Sequence, residues 1–381
     1  MTGAAALKKL IFIVTEDWFF ASHFLPMLRA ARAAGFAPAV VCRVREHRVV
    51  IEAEGARVIP LDADRGRRNL GSAVSTIGRL RLILRAEQPA VVHLIALWPI
   101  ALGGIAAILA GVRRRVYAVT GLGFLGASNG LGAKAARLAM RLLLRGPLDG
   151  RGVRFLLENP DDARLLGFDP DKARRVVIVG GAGVDPDAYA PSPLPTAPPF
   201  RLAVVARMLW SKGIDVAVEA VRLARSAGAE IELSLYGEPD PTNPKTIPRE
   251  RLEAWGREPG IAWRGRTDDA AAVWREQHLC CLPSRGGEGL PRTLLEGASC
   301  GRAVLASDVP GCRALVRDGI EGVLVPPGDA KALALALVML ARDPARVARM
   351  GAAARERVLS GFTERHVVEA VAAMYRELEE G

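Results

Sequence analysis

Short apolar runs recur along the first half of the chain, and between them the apolar positions fall at helical spacing. LKKLIFIV, FAPAVVCRV, ARVIPLD, AVVHLIAL and RRVYAVT read as strands. Between them lie SHFLPMLRAARAAG, which begins near Ala21 and is capped by Gly35, then EHRVVIEAEG and an amphipathic stretch from Asn69 to Glu87. Strands this uniformly hydrophobic are buried on both faces, so their alternation with helices predicts a parallel sheet covered on both sides. FLLENPDDARLLG and RRVVIVGGAGVD continue the series. In such a sheet the ligand groups collect beyond the carboxyl ends of the strands.

A second series of the same kind starts after residue 199. RLAVVAR, IELSLYG, IAWRG, HLCCLPS, AVLAS and GVLVP read as its strands. The segment between the series, PSPLPTAPP (191–199), is proline-rich and uncharged, which reads as a stiff linker. The expected architecture is α/β: a Rossmann-like domain over 1–190, the linker 191–199 and a second Rossmann-like domain over 200–362. A final helix over 363–381 is long enough to return to the first domain. Two such halves place a ligand in the cleft between them.

At 381 residues the chain exceeds one ordinary core, which agrees with two domains. The net charge of +11 lies wholly in residues 1–200, which hold 27 Lys+Arg against 16 Asp+Glu, while the remainder is balanced. A one-sided basic field points to an anionic partner such as phospholipid or diphosphate, or else serves solubility. Nucleic acid is the weakest such partner and is not expected, since no zinc spacing and no ribonucleoprotein-type aromatic motif occur and aromatics to stack bases are few. Five cysteines without a C-x-x-C read as buried thiols of a reduced compartment. The start of the chain does not read as a signal peptide, because LIFIV is followed at once by Thr15, Glu16 and Asp17. Leu94 to Val112 is uncharged and long enough to span a bilayer, but Trp98-Pro99 and Gly103-Gly104 break it. It reads instead as a strand followed by a buried helix.

Leu131 to Arg145 forms a basic amphipathic helix. Lys134, Arg137, Arg141 and Arg145 recur at spacings of three and four, and Leu131, Leu138 and Leu142 line another face. Taken alone, this is an ordinary surface helix that packs its leucines on the sheet. Joined to the charge bias, it becomes a helix that lies on an anionic membrane surface.

The chemistry concentrates in Leu282 to Asp308, a strand end, a glycine-rich loop, a helix and a further strand. Glu288 sits in the loop and Glu296 about two turns into the helix, in apolar surroundings where a carboxylate needs partners. Arg207 and Lys212 bracket a loop after the strand AVVAR, where two cations can neutralise a diphosphate leaving group. A pair of solvated loop cations and two structural acids are the plainer alternatives. Separately, Gly121, Gly123 and Gly126 spell G-x-G-x-x-G after a strand, the fingerprint of an NAD-dependent oxidoreductase. Neither a helix start nor a ribose-binding acid follows it.

EGLPRTLLE resembles the E-x7-E motif of family 4 glycosyltransferases, ARMLWSKGID resembles their R-x-x-x-x-K-G loop, and LPSRGGEGLPRTLLEGASCGRAVLASDVPGCRALVRDGIEGVLVPPGD tracks their carboxyl-terminal signature. TEDWFFASHFLP, YAVTGLGFL, ENPDDARLL, VGGAGVDPDAY and PDPTNPKTIPRERLEAW are similar to the branch that extends polyisoprenyl-diphosphate-linked sugars for capsule, O-antigen or N-glycan precursors. The resemblance implies the GT-B fold and metal-independent, anomer-retaining transfer from a nucleotide sugar, expected to be UDP-linked, to a polyisoprenyl-diphosphate-linked acceptor. It implies a cytoplasmic bacterial enzyme, peripheral on the inner face of the cell membrane and held there through its basic first domain. By the same resemblance Arg207 and Lys212 bind the diphosphate, Glu296 the ribose and Glu288 the transferred sugar. Gly289 and Leu290 offer backbone N–H groups, while Asp17, His23, Gly121 and Gly123 lie on the acceptor side. Arg285-Gly286-Gly287, Phe24 and Trp98 depart from the branch's pattern, all at positions expected to hold sugar or acceptor. The rival reading is a non-catalytic nucleotide-sugar or membrane-binding protein on the same fold.

Overall fold

The computed structural model describes residues 7–61, 70–127, 130–241 and 243–380. They fall into two compact units, Met1–Ala182 with Glu364–Gly381, and Gly183–Thr363.

Among the described residues, the first unit is built on strands β1 (Lys8–Glu16), β2 (Phe36–Arg43), β3 (Arg57–Pro60), β4 (Val91–Ile95), β5 (Arg114–Val119), β6 (Val153–Leu157) and β7 (Val176–Ile178). They pair in parallel in the order β3-β2-β1-β4-β5-β6-β7. Alternate residues of each strand feed the two faces. Leu10 and Phe12 pack with the helices Asp17–His23, Leu25–Ala33, Arg48–Ala53 and Glu364–Glu380. Ile11 and Ile13 pack with Leu70–Glu87, Leu97–Leu109 and Leu131–Arg145. The expected beginning of one helix at Asn69 lies outside the described residues. The stretch around Trp98-Pro99 divides into β4 and a helix that starts at Leu97, two residues before Pro99. Proline is tolerated there because a first-turn N–H has no intrahelical partner. Among the described residues no helix is long and apolar enough to cross a membrane.

The final helix belongs to the first unit and packs on Leu25–Ala33. Its Tyr375 hydroxyl meets Nδ1 of the fully buried His93 on β4 at 2.6 Å. Burial pushes His93 down to about 3, so it stays neutral at physiological pH.

The second unit carries β8 (Phe200–Val205), β9 (Ile231–Tyr236), β10 (Ile261–Gly265), β11 (Leu279–Leu282), β12 (Ala303–Ser307) and β13 (Gly322–Val325). These described strands form a parallel sheet in the order β10-β9-β8-β11-β12-β13. The chain passes from the first unit to the second between Ala182 and Gly183, so the proline-rich 191–199 segment lies inside the second unit. It is pinned there. Buried Arg302 donates to the carbonyls of Ser192, Pro193 and Gln277, and His278 Nε2 lies 3.0 Å from the Pro195 carbonyl. The five cysteines are free and buried.

Candidate functional site

In the second unit the order reverses at β8, which has β9 on one side and β11 on the other. That is a topological switch point, where adjacent strands deliver their loops outward. Three loops emerge there: Ala206–Gly213 after β8, residues 237–248 after β9 and Pro283–Leu290 after β11.

The β8 loop places Lys212 at the end of a short 3-10 turn, Trp210–Lys212. Gly213 then turns at φ +70°, and a Cβ on it would lie 1.9 Å from the Pro283 carbonyl oxygen. Only glycine lets this loop approach the β11 loop so closely. The Lys212 ammonium donates to Glu288 Oε2 at 2.5 Å, and Ser284 Oγ donates to Oε1 at 2.7 Å. Burial pushes the Glu288 carboxyl up. The Lys212 charge and hydrogen bond, the Ser284 hydrogen bond and the Arg207 charge together outweigh it and hold Glu288 below the ordinary carboxylate value. Arg207 donates to Asp240 Oδ2 in the β9 loop at 3.0 Å. The structure thus brings Lys212 and Glu288 into contact, with Arg207 within electrostatic reach of Glu288.

Glu296 lies on the helix Arg292–Ser299, 7 % exposed. Its Oε1 accepts from Arg292 Nε at 2.8 Å and from the Tyr189 hydroxyl at 3.0 Å. Burial raises its pKa, and Arg292 and Tyr189 only partly offset that. Gly289 and Leu290 are buried just before this helix. The Gly289 carbonyl would lie 1.7 Å from any Cβ at Gly311, so Gly311 fixes the height of the loop.

On the first unit, Asp17 and His23 lie on the helix after β1. Asp17 is fully buried, and its carboxylate accepts the N–H groups of Trp18, Arg45 and His47 at 2.7, 2.6 and 3.0 Å. Burial pushes it up, but those three bonds and the His47 charge leave it lowered overall. Asp17 therefore shapes the loop after β2. His23 Nδ1 meets Ser22 Oγ at 2.6 Å, and its ring lies 5.0 Å from that of Phe19. Gly121 and Gly123 follow β5 with φ of +102° and +53°. Among the described residues, the helix that directly follows them, Phe124–Ala127, is four residues long, shorter than the helix on which a dinucleotide fingerprint seats its pyrophosphate.

Three leucines of Leu131–Arg145 face outward. Leu131, Leu138 and Leu142 are 86, 56 and 63 % exposed, while Ala133 and Leu144 make the inward contacts. The expectation that these leucines pack on the sheet is thereby corrected. Sequence reasoning passed over Tyr189 and Asp240, whose partners lie 107 and 33 positions away, and Ser284 and Arg292, each four positions from its carboxylate. The i,i+4 spacing of Arg292 and Glu296 on one helix is the signal that could have found that pair.

Two family models match the chain: "Glycosyl transferase 4-like" over residues 9–147 and "Glycosyl transferases group 1" over residues 199–343. The phosphatidyl-myo-inositol mannosyltransferase of Mycobacterium leprae is 36 % identical over 149 residues, 39 % of this chain and 38 % of that protein. The putative colanic acid biosynthesis glycosyltransferase WcaL of Escherichia coli is 29 % identical over 214 residues, 54 % of this chain and 52 % of that protein. The chain spans about half or less of the length of the curated relatives it matches. Among solved structures, a glycosyltransferase from Rickettsia africae superposes with a TM-score of 0.77 at 15 % identity, covering 99 % of this chain and all of the other. Anabaena HepE in complex with UDP and glucose gives 0.72 at 16 % identity, covering 98 % and 100 %.

Proposed function

We propose a donor, an acceptor class and a reaction course for this chain, which belongs to the family 4-like glycosyltransferases of GT-B fold. It transfers a sugar from a nucleoside diphosphate sugar, most simply UDP-linked, to a polyisoprenyl-diphosphate-linked saccharide, with retention at the anomeric carbon. The observation that carries this reading is the contact of Lys212 with Glu288, beside Arg207, at the switch point of the second unit. The relatives named for polysaccharide and glycolipid synthesis, and HepE with UDP and glucose, support it.

In the proposed course the bond from sugar C1 to the β-phosphate oxygen breaks, and the electron pair leaves with the nucleoside diphosphate. Arg207 and Lys212 stabilise the charge that builds there, without a metal ion. The acceptor hydroxyl attacks C1 from the same face, and its proton passes to the departing diphosphate oxygen. Glu288, held ionised, orients the sugar, and Glu296 accepts ribose hydroxyls.

The acceptor's lipid anchor calls for a membrane surface. The helices Leu70–Glu87, Leu97–Leu109 and Leu131–Arg145 share one layer of the first unit. They carry Arg79, Arg81, Arg85, Lys134, Arg137, Arg141 and Arg145 against a single acid, Glu87. The final helix, in the opposite layer, carries five glutamates and two arginines. This polarity, with the exposed leucines, supports docking of the basic layer on the anionic inner face of the cell membrane.

A screen of UDP- and GDP-sugars against polyisoprenyl-diphosphate saccharides, with product mass and anomeric configuration measured, tests the reaction. Glu296→Ala should weaken nucleotide binding, and Lys212→Ala should depress turnover more than binding. Wild-type rates in both variants would refute the assignment. Nucleotide-sugar binding without any transfer would support a non-catalytic protein instead. For the membrane, sedimentation with phosphatidylglycerol vesicles should fall as salt rises, and salt-independent or absent binding counts against docking.

A further inference from the structure

The Arg285-Gly286-Gly287 segment, where the chain departs from the pattern of the branch it resembles, grips the turn that carries Lys212. The backbone N–H of Arg285 donates to the Ser211 carbonyl at 2.8 Å. Its guanidinium reaches the Trp210 carbonyl and forms a two-pronged pair with Asp215, at 2.8 and 2.7 Å. One residue therefore holds positions 210, 211 and 215, on both sides of Lys212. Gly286 and Gly287 then turn at φ of +105° and +84°. Two consecutive left-handed residues are cheap only for glycine, and they bring the chain back to Glu288, where the Lys212 ammonium is met at 2.5 Å. Ser284 Oγ closes the frame by lying 3.3 Å from the Ser211 carbonyl.

The Arg285–Asp215 pair is about a third exposed on each side, so solvent screens it and it adds little to stability. Its geometry serves direction. A lysine has a flexible stem with many rotamers, and its phosphate-binding value depends on where the backbone beneath it sits. We propose that Arg285 is a positioning residue, which acts through Asp215 and the Trp210–Ser211 carbonyls to aim Lys212 at the donor's diphosphate and away from solvent. The proposal rests on the donor-site reading of Lys212. It gives the R-G-G-E segment one physical role: the arginine anchors, the glycines reverse the chain, and the glutamate meets the lysine.

Calorimetric titration separates the possibilities, with UDP and GDP as diphosphate probes and UMP and GMP as monophosphate probes. In the wild type the diphosphate should bind more tightly than its monophosphate. Arg285→Ala and Asp215→Asn should each weaken the diphosphate about tenfold or more, the scale of one charge-assisted hydrogen bond, and leave the monophosphate unchanged. The double variant Arg285→Ala/Asp215→Ala should lose no more than either single one, because both break the same fork. Arg285→Lys, which keeps the charge and loses the fork, should fall between. A thermal melt near that of the wild type in each variant confirms that the fold persists. If Asp215→Asn keeps diphosphate affinity while Arg285→Ala loses it, Arg285 touches the ligand itself and the positioning role is overturned. Unchanged diphosphate affinity in every variant overturns it as well. A wild type that does not favour diphosphate over monophosphate refutes the donor reading of Lys212, and the proposal with it.

Discussion

Replacing Gly213 by alanine tests how tightly the lysine loop is set against the glycine loop. Two costs add. The residue sits at φ +70°, where a Cβ costs about 1–2 kcal/mol. The new Cβ would also lie 1.9 Å from the Pro283 carbonyl oxygen and 2.8 Å from its carbon. Real Cβ contacts essentially never fall below 3.0 Å, so the loops must part by about 1 Å, an overpacking cost of about 1–3 kcal/mol. The sum, about 2–5 kcal/mol, corresponds to a fall in melting temperature of about 4–20 °C for a unit of this size. The same displacement carries Lys212 away from Glu288, and a shift of that size costs up to about 10²-fold in turnover. Gly228→Ala is the control, because Gly228 has φ +85° with nothing within 4 Å of its Cβ. It pays the backbone cost alone and should retain full diphosphate binding. Differential scanning calorimetry of both variants, with titration by UDP and GDP, reads the difference. If Gly213→Ala melts no lower than Gly228→Ala and binds as the wild type does, the loop contact is not what sets the site.

Glu288 contributes stability through a lowered pKa. That contribution is present above the ordinary carboxylate value of 4.5 and is lost as pH falls below it through the folded value, so the pH-dependence of melting below about pH 4.5 should flatten in Glu288→Gln. Glu296 has the opposite sign: its raised pKa makes the ionised carboxylate a cost at neutral pH. Glu296→Gln should therefore melt no lower than the wild type at pH 7 while binding nucleotide more weakly, which calorimetry reads directly. Leu138→Ser with Leu142→Ser, at 56 and 63 % exposure, should change stability by less than about 1 kcal/mol in all and yet reduce vesicle sedimentation. Asp17→Ala should lower the melting temperature of the first unit, because it removes a buried carboxylate that accepts the N–H groups of Arg45 and His47.

Periodicity alone determined the two parallel sheets, because a strand buried on both faces must be apolar throughout and a helix over it must be apolar on one side. The spacing of Arg207, Lys212, Glu288 and Glu296 beside strand ends likewise marked the second unit as the place where chemistry is expected. Tertiary structure decided which of these groups meet. The Lys212–Glu288 contact spans 76 positions and the Tyr189–Glu296 contact 107, and local pattern carries no information about pairs so far apart. It also decided burial. Asp17 reads as a loop polar group in sequence, yet it is fully buried, held by the N–H of its neighbour Trp18 and by those of Arg45 and His47 from the loop after β2. Leu138 and Leu142 read equally well as core or surface until Ala133 and Leu144 are seen to make the inward contacts. Side-chain chemistry is written residue by residue, whereas a partner, a solvent boundary and a pKa belong to the packed neighbourhood, which exists only once the chain has folded.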